Sequence, residues 1–313
     1  MRGILNTIIV AVMMVGMNAT DEAMRLLSIG QYKDGWADYE QRLVPANITL
    51  KKPLWDGSPC PDKTLLVRGE QGLGDVFHFM RYLPLVRERF AGRVLFRCDQ
   101  RLEPLLRLSP ITEPMVFGTG IDCDCQLFLM SCPHVLGLPD PADSPQPPYL
   151  LPSDPLTEVW REQLPRGFNV GIVWQGNPAF HKNHLRSFPL ASFSPIAAID
   201  DVRLVSLQQT PTDGCGFPVT EFTDLDKHAA FMDTAAILAN LDLVVTCDTA
   251  IAHLAGAMGR RVWLALSTAP DWRWTLKGDS TPWYPTMRLF RQQVAGDWGE
   301  VFTRIANELR KLV

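Results

Sequence analysis

The sequence predicts an α/β protein with a GT-B-like arrangement, in which two Rossmann-like halves with parallel sheets face each other across a cleft. Three observations predict it. Short apolar runs alternate with helical stretches along most of the chain. Residues 241–266 form one compact strand–helix–strand pattern, whose crossover should be right-handed. Residues 139–155 hold seven prolines, which resist both helix and sheet and therefore indicate a linker.

Composition sets the broad class of protein. The chain has 313 residues, 46% of them hydrophobic and 20% charged, which leaves room for two domains. The net charge of −4 and the lack of long basic runs speak against a nucleic-acid partner. Seven cysteines without a repeated CxxC pattern favour free thiols in a reducing, cytoplasmic compartment. Cys123, Cys125 and Cys132 lie close in sequence but lack a fourth soft ligand, so we expect no metal site.

Residues 1–50 are expected to form a helical segment. Residues 4–17 are apolar but short for a membrane-spanning helix, and we interpret them as a displaced translation start in preference to a signal-like segment. Residues 21–43 predict two amphipathic helices. The stretch LLSIGQYKDGWADYEQRL resembles the closing unit of a tetratricopeptide array. A single unit cannot bury its own apolar face, so it must pack on the α/β part of the chain, and a plain helical hairpin is the alternative interpretation.

Residues 51–155 are predicted to form the first α/β half. A strand at 64–67 leads into the glycine-rich turn of Gly72, Leu73 and Gly74, then Asp75 and a helical stretch at 76–90. A strand, a glycine-rich turn and a helix in this order indicate a ligand site at the carboxyl edge of a sheet. The glycine spacing fits neither the dinucleotide fingerprint nor a phosphate-binding Walker loop. Asp75 could also serve only as a helix cap.

Residues 156–313 are predicted to form the second half. Strands are expected at 169–174, 202–207, 241–245 and 262–266, with a polar, basic loop at 181–187. The helix at 250–258 should end at Gly259, the usual place for a left-handed residue. Residues 271–285 are predicted to form an aromatic loop region. The amphipathic helix at about 298–312 is expected to pack back on the first half.

The start of the helix at residue 250 is a candidate anion site. Asp248 and Thr249 stand where free backbone N–H groups and the helix dipole favour negative charge. Lys182 and Arg186 could supply cations, and a diphosphate needs charge and N–H donors together. The alternatives are a simple N-cap at Asp248 or Thr249, and a solvated loop around Lys182 and Arg186.

Several motifs occur together in the order of a known family. They are GEQGLGD, VGIVWQGNP, the KNHLRS loop, VTCDTAIAHLAGAMG, and APDWRW followed by TPWYP. In this order and spacing, from about residue 55 to 313, the chain resembles glycosyltransferase family 9, the heptosyltransferase-like group, and within it a tetratricopeptide-associated bacterial branch. The resemblance implies a GT-B fold and an inverting, metal-independent transfer of a sugar from a nucleotide-diphosphate donor to an acceptor hydroxyl.

The resemblance also implies roles for single residues. Asp75 would be the general base on the acceptor hydroxyl, beside the acceptor-side loop of Gly72, Leu73 and Gly74. The implied donor-binding residues are Gly176, Lys182, Arg186, Gln208, Asp248, Thr249, Ala250 and His253. No cofactor or metal is implied beyond the nucleotide-sugar substrate. The implied partners are that donor and a glycan or protein acceptor, with no nucleic acid. The implied place is the cytoplasm, with peripheral association at the inner face of the membrane left open.

Two other functions compete with the transferase. A non-catalytic module could keep the fold and bind a sugar nucleotide, and an Asp75 buried as a cap would favour it. An epimerase with the same fold would need further acid and base groups, for which Glu70 and His253 are the candidates.

Overall fold

The computed structural model describes residues 19–43, 52–112, 116–117, 122–227 and 230–313. The apolar stretch 4–17 and its interpretation lie outside these residues. No helix in the described part of the chain is long and apolar enough to cross a membrane.

A helical hairpin precedes the first sheet. Helix α1 (Ala19–Ser28) and helix α2 (Tyr32–Tyr39) are followed by a 3-10 turn at Glu40–Leu43. Acidic residues in the first turn of α1 suit the helix dipole. Gly30 separates the helices at φ +80°, a conformation that costs glycine little. The two predicted helices of this segment are therefore confirmed.

The first sheet has four parallel strands. They are β1 (Thr64–Arg68), β2 (Arg93–Arg97), β3 (Val116–Phe117) and β4 (Cys125–Phe128), in the order β3-β2-β1-β4. Strand β1 pairs with β2 on one side and with β4 on the other, so the chain switches direction beside its end. Such a switch point opens a crevice at the carboxyl ends of the strands.

The helices around this sheet are short. They are α3 (Leu73–Phe79), α4 (Leu83–Phe90), α5 (Glu103–Leu106) and α6 (Cys132–Leu136). The helical stretch predicted at 76–90 is divided by a 3-10 turn at Met80–Tyr82. Pro84 stands in the first turn of α4, where its missing N–H group costs no helical hydrogen bond.

The second sheet has five parallel strands. They are β5 (Phe168–Val173), β6 (Val202–Ser206), β7 (Leu243–Thr246), β8 (Val262–Leu266) and β9 (Met287–Arg291), in the order β6-β5-β7-β8-β9. Every residue of β7 and β8 is buried, as expected for strands covered on both faces. The helices are α7 (Asp154–Gln163), α8 (Asn183–Arg186), α9 (Ser194–Ala197), α10 (Met232–Asn240), α11 (Ala250–Ala257) and α12 (Trp298–Leu309). The two sheets are separate, and the proline-dense segment joins them.

The terminal helix packs on the second half. Phe302 of α12 lies 4.9 Å from Phe188 and 4.7 Å from Phe193, measured between ring centroids. Glu308 accepts a hydrogen bond of 2.8 Å from Arg288 of β9. The prediction that this helix crosses back to the first half is therefore wrong. Its apolar stripe indicated a buried face, but β9, which the sequence analysis did not predict, extends the second sheet and offers a nearer surface.

The two halves meet through two helices and an aromatic cluster. A Cβ atom on Gly74 of α3 would come within 2.9 Å of the His253 ring and 3.2 Å of the Ala250 Cα atom in α11. Glycine at this position lets the two helices approach closely. Trp36 of the hairpin is buried and contacts Phe79 of the first half and Trp272 of the second. The hairpin is therefore wedged against both halves.

Candidate active site

A cavity of about 380 Å³ opens at the carboxyl edge of the second sheet. One wall is the loop after β5, one is the loop after β8, and one is helix α1 of the N-terminal hairpin. The lining residues are Asp21, Met24, Arg25, Ser28, Phe180, Lys182, Leu185, Arg186, Asp248, Ala265, Leu266, Ser267, Ala269, Pro270, Asp271, Trp272 and Leu276. The cavity mixes apolar surface with three basic and three acidic side chains, which suits a polar ligand with a flat, apolar part.

Helix α11 begins beside this cavity. Strand β7 ends at Thr246, and the backbone of Thr249 is extended at φ −143°, so the helix starts at Ala250. Thr249 holds the N-cap position, yet its side chain makes no capping hydrogen bond, and its buried Oγ1 has no hydrogen-bond partner among the described residues. The cap interpretation therefore applies to the position of Thr249 but not to its hydroxyl. A buried hydroxyl without a partner is costly, and a ligand at the helix start would satisfy it.

Arg186 reaches the start of the same helix. Its Nη1 donates to the backbone oxygen of Asp248 over 2.8 Å, and its Nε donates to Asn183 Oδ1 over 3.2 Å. A Cβ atom on Gly176 would lie only 2.5 Å from Arg186 Nη2, so the absence of a side chain there makes room for the guanidinium. The predicted proximity of Arg186 to the helix start is confirmed. Lys182 lines the cavity on the same loop.

Asp248 carries a perturbed carboxyl group. Burial raises the pKa of Asp248 to about 6, and the neighbouring Asp271 carboxylate adds to the rise, while Arg186 and Arg273 oppose the shift. A carboxyl with this pKa changes charge near neutral pH, and such groups cluster at functional sites.

Gln208 has a structural position. Its Oε1 accepts from the backbone N–H groups of Trp174 and Gln175 over 2.7 and 3.0 Å, and its Nε2 donates to the Gln175 oxygen. These bonds fix the turn where β5 ends, and Gln208 does not line the cavity. The geometry therefore gives Gln208 the work of shaping the loop before Gly176.

Asp75 lies at the junction of the two halves. Its Oδ2 accepts from the Gly72 backbone N–H over 2.8 Å, as in a capping box. Its Oδ1 forms an ion pair with Arg273, which also pairs with Asp271 over 2.8 Å. The Asp75 side chain is 18% exposed. Burial raises the pKa of Asp75 above its ordinary value, although Arg273 acts in the opposite direction.

The glycine-rich loop before Asp75 is tied to the hairpin. Arg42 donates to both carboxylate oxygens of Glu70, over 2.7 and 3.1 Å, and the Arg42 side chain is 7% exposed. Gln71 has a left-handed backbone at φ +59° and donates to the Tyr39 hydroxyl over 3.2 Å. These contacts hold a strained residue in place. Because the Glu70 carboxylate pairs with Arg42, it is not poised as an epimerase acid or base.

His253 belongs to a buried network between the halves. Its Nδ1 and the Nδ1 of His78 each lie 2.9 Å from the Tyr284 hydroxyl. Burial holds the pKa of both imidazoles well below their ordinary range, so both are neutral. His253 also stacks on Trp274, with ring centroids 5.1 Å apart. His253 therefore supports the start of α11 from behind and does not line the cavity.

The predicted residues thus fall into separate groups. Lys182, Arg186 and Asp248 line the cavity, and Gly176, Thr249 and Ala250 stand directly behind them. The acceptor-side loop with Asp75 lies across the interface and does not line the cavity, although Arg186 is close enough to lower the Asp75 pKa.

Arg25 and Arg273 were missed as site residues. Arg273 lies in the quoted APDWRW motif, so a signal for it existed, whereas Arg25 had none in the sequence.

The cysteines and acidic residues do not gather into a metal site. All seven cysteines are unpaired. In the part of the chain that the structure describes, no three histidine, cysteine, aspartate or glutamate side chains are grouped as metal ligands would be.

Comparison with known proteins gives one sequence relative. The protein FlbA of Caulobacter vibrioides is 27% identical over 322 aligned positions, which cover 91% of this chain and 53% of FlbA. The chain therefore spans about half the length of this curated relative. No family model matches the chain.

Several solved structures share the fold. A glycosyl transferase family 9 protein from Veillonella parvula matches with a TM-score of 0.56 and 10% identity, over 83% of this chain and 92% of that one. The ADP-heptose heptosyltransferase II of Escherichia coli matches with a TM-score of 0.51 and 13% identity, over 80% and 98%. The iron-containing heptosyltransferase TibC of enterotoxigenic E. coli, in complex with ADP-D-β-D-heptose, matches with a TM-score of 0.53 and 14% identity, over 78% and 67%. The chain has the fold of these proteins, and the GT-B-like prediction is confirmed.

Proposed function

We propose that this chain is a family 9 glycosyltransferase that moves a sugar from a nucleotide-diphosphate donor to an acceptor hydroxyl on a glycan or protein. The observation that carries the proposal is the hydrogen bond from Arg186 to the Asp248 backbone oxygen. It fixes a guanidinium at the start of α11, where unpaired backbone N–H groups already favour an anion. The fold shared with nucleotide-sugar enzymes supports this assignment.

The donor diphosphate would sit between the helix start and the basic loop. Arg186 and Lys182 supply positive charge, and the backbone of Thr249 and Ala250 supplies N–H donors. Together they would stabilise the charge that develops on the leaving nucleoside diphosphate, so that the protein's own groups do the work often given to a metal.

The acceptor would approach from the first half, beside Gly72 and Asp75. Asp75 would take the proton from the acceptor hydroxyl while that oxygen bonds to the anomeric carbon. The bond from that carbon to the diphosphate oxygen breaks on the opposite face, so the configuration inverts. The raised pKa of Asp75 suits a base that works near neutral pH. We place the reaction in the cytoplasm, at the inner face of the membrane where the acceptor is bound there.

A thermal-shift screen of ADP-, GDP-, UDP- and CDP-sugars tests the proposal, because a ligand that binds only the native state raises its melting temperature. Arg186→Ala should then weaken binding of the active donor by roughly 1–3 kcal/mol, the range for a charge-assisted hydrogen bond. Arg107→Ala is the matched control, since Arg107 is exposed beside α5 of the first half. Donor affinity that is equal in both variants would overturn the donor site.

A sugar-nucleotide-binding module without catalysis is the second candidate. The observation that favours it is the engagement of both Asp75 carboxylate oxygens, one by the Gly72 N–H group and one by Arg273. The two functions separate in one measurement, namely release of nucleoside diphosphate from a donor that binds. Binding without release under any acceptor tested would favour the module.

A further inference from the structure

Helix α1 presents one face to the cavity. Its lining residues Asp21, Met24, Arg25 and Ser28 are spaced three, four and seven positions from the first, which places them on one side of a helix. They face the basic loop that carries Lys182 and Arg186. The cavity is therefore enclosed by the N-terminal hairpin as well as by the second half.

This wall is held firmly in place. Ala23 and Leu27, on the buried side of α1, are fully buried. The neighbouring helix α2 inserts Trp36, whose indole N–H donates to the Pro139 oxygen over 2.9 Å. A helix anchored in this way presents its cavity face in a fixed position, as a binding surface requires.

Arg25 adds a third positive charge to the cavity. It donates two hydrogen bonds of 2.7 Å to Glu22, its partner one turn earlier, and its side chain is 43% exposed. Exposed ion pairs of this kind contribute at most about 1 kcal/mol. A phosphate group with several charged oxygens would therefore displace Glu22 readily, because a bidentate bond to phosphate is stronger.

We propose that Arg25 binds the donor diphosphate from the hairpin side, so that the N-terminal hairpin is part of the donor site. Arg25 would face Lys182 and Arg186 across the ligand. The acidic lining residues Asp21, Asp248 and Asp271 would then accept from ligand hydroxyl groups or, for Asp248, be protonated. This inference rests on the proposed function, since it requires a diphosphate in the cavity.

Two variants that break the same ion pair test the inference. Arg25→Ala should raise the dissociation constant of a nucleoside diphosphate about tenfold or more, as expected for the loss of a charge-assisted bond. Glu22→Gln should leave it unchanged or lower it, because Arg25 loses its competitor. The probes are ADP, GDP, UDP and CDP in isothermal titration calorimetry. Arg161→Ala is the control, since Arg161 forms a similar pair with Glu158 on α7 and does not line the cavity.

The outcomes separate the two proposals. If the parent binds a diphosphate and Arg25→Ala binds it within twofold, the inference is overturned while the donor site stands. Equal weakening by Arg25→Ala and Glu22→Gln also overturns it, because the effect would then come from the helix and not from contact with the ligand. A parent protein that binds none of the four diphosphates overturns both proposals.

Discussion

The carboxylate of Asp75 pairs with the guanidinium of Arg273 across the junction between the two halves. Asp75 stands at the start of α3 in the first half, and Arg273 lies in the aromatic loop after β8 in the second. Arg273 is also paired with Asp271, and its side chain is 8% exposed. Burial alone would lower the pKa of Arg273, but the two carboxylates outweigh it and raise the pKa. A single cation thus links the proposed base to a loop that lines the donor cavity.

Asp75→Asn tests the proposed base. The amide oxygen can still accept from the Gly72 N–H group, and Arg273 keeps Asp271, so we expect a folded protein with normal diphosphate affinity. Turnover should fall by roughly 100-fold or more, the usual scale for loss of a general base. Asp99→Asn is the control, because Asp99 also caps a short helix and pairs with Arg101, but at an exposed site. Turnover within a few-fold of the parent would leave Asp75 as a cap.

Arg273→Gln tests how the ion pair tunes Asp75. Without the cation, burial would raise the pKa of Asp75 further, and a base must be deprotonated to act. The acidic limb of the pH profile of kcat/KM should therefore move to higher pH. Arg273→Lys keeps the charge and should largely restore the profile. A limb that stays in place in Arg273→Gln would mean that another group is the titrating base.

Asp248→Asn tests the raised pKa at the start of α11. Because folding raises this pKa to about 6, the native state binds more protons than the unfolded state between roughly pH 4 and pH 6. The parent should therefore lose stability relative to the variant as pH rises through this window, and the difference should stay constant above it. Urea unfolding at about pH 4.5 and about pH 7 measures it.

The control for this pH dependence is the exposed Asp213, replaced by Asn. Its stability should follow that of the parent at both pH values. A gap between Asp248→Asn and the parent that fails to widen with pH would contradict the perturbed carboxyl.

Trp36→Ala tests the wedge between hairpin and halves. Trp36 is 1% exposed and packs edge-on against Phe79, Trp272 and Trp283. Its loss should lower the free energy of unfolding by about 3–5 kcal/mol, as for large buried aromatics. Ile29→Ala, at a side chain that is 44% exposed, should change it by less than about 1 kcal/mol. Similar values for both variants would show that the hairpin is not anchored through Trp36.

Local sequence patterns determined the fold and the donor side of the site. Apolar runs placed most of the strands because a buried parallel strand needs a continuous apolar segment. Lys182, Arg186 and Asp248 could be brought together from sequence since loops that follow neighbouring parallel strands meet at one edge of a sheet. Strand β9 was missed because its arginines at 288 and 291 interrupt the apolar run.

Only the tertiary structure decided the contacts between distant segments. Asp75 and Arg273 are 198 positions apart, and His78 and Tyr284 are 206 apart, so no local periodicity connects them. The same reason explains the terminal helix: its apolar stripe predicted a buried face, but the surface that it covers depends on where β9 and Phe188 lie. It also explains Arg25, which in sequence is an ordinary exposed helix residue. Only the packing of Trp36 between the halves brings that helix, and Arg25 with it, to the cavity.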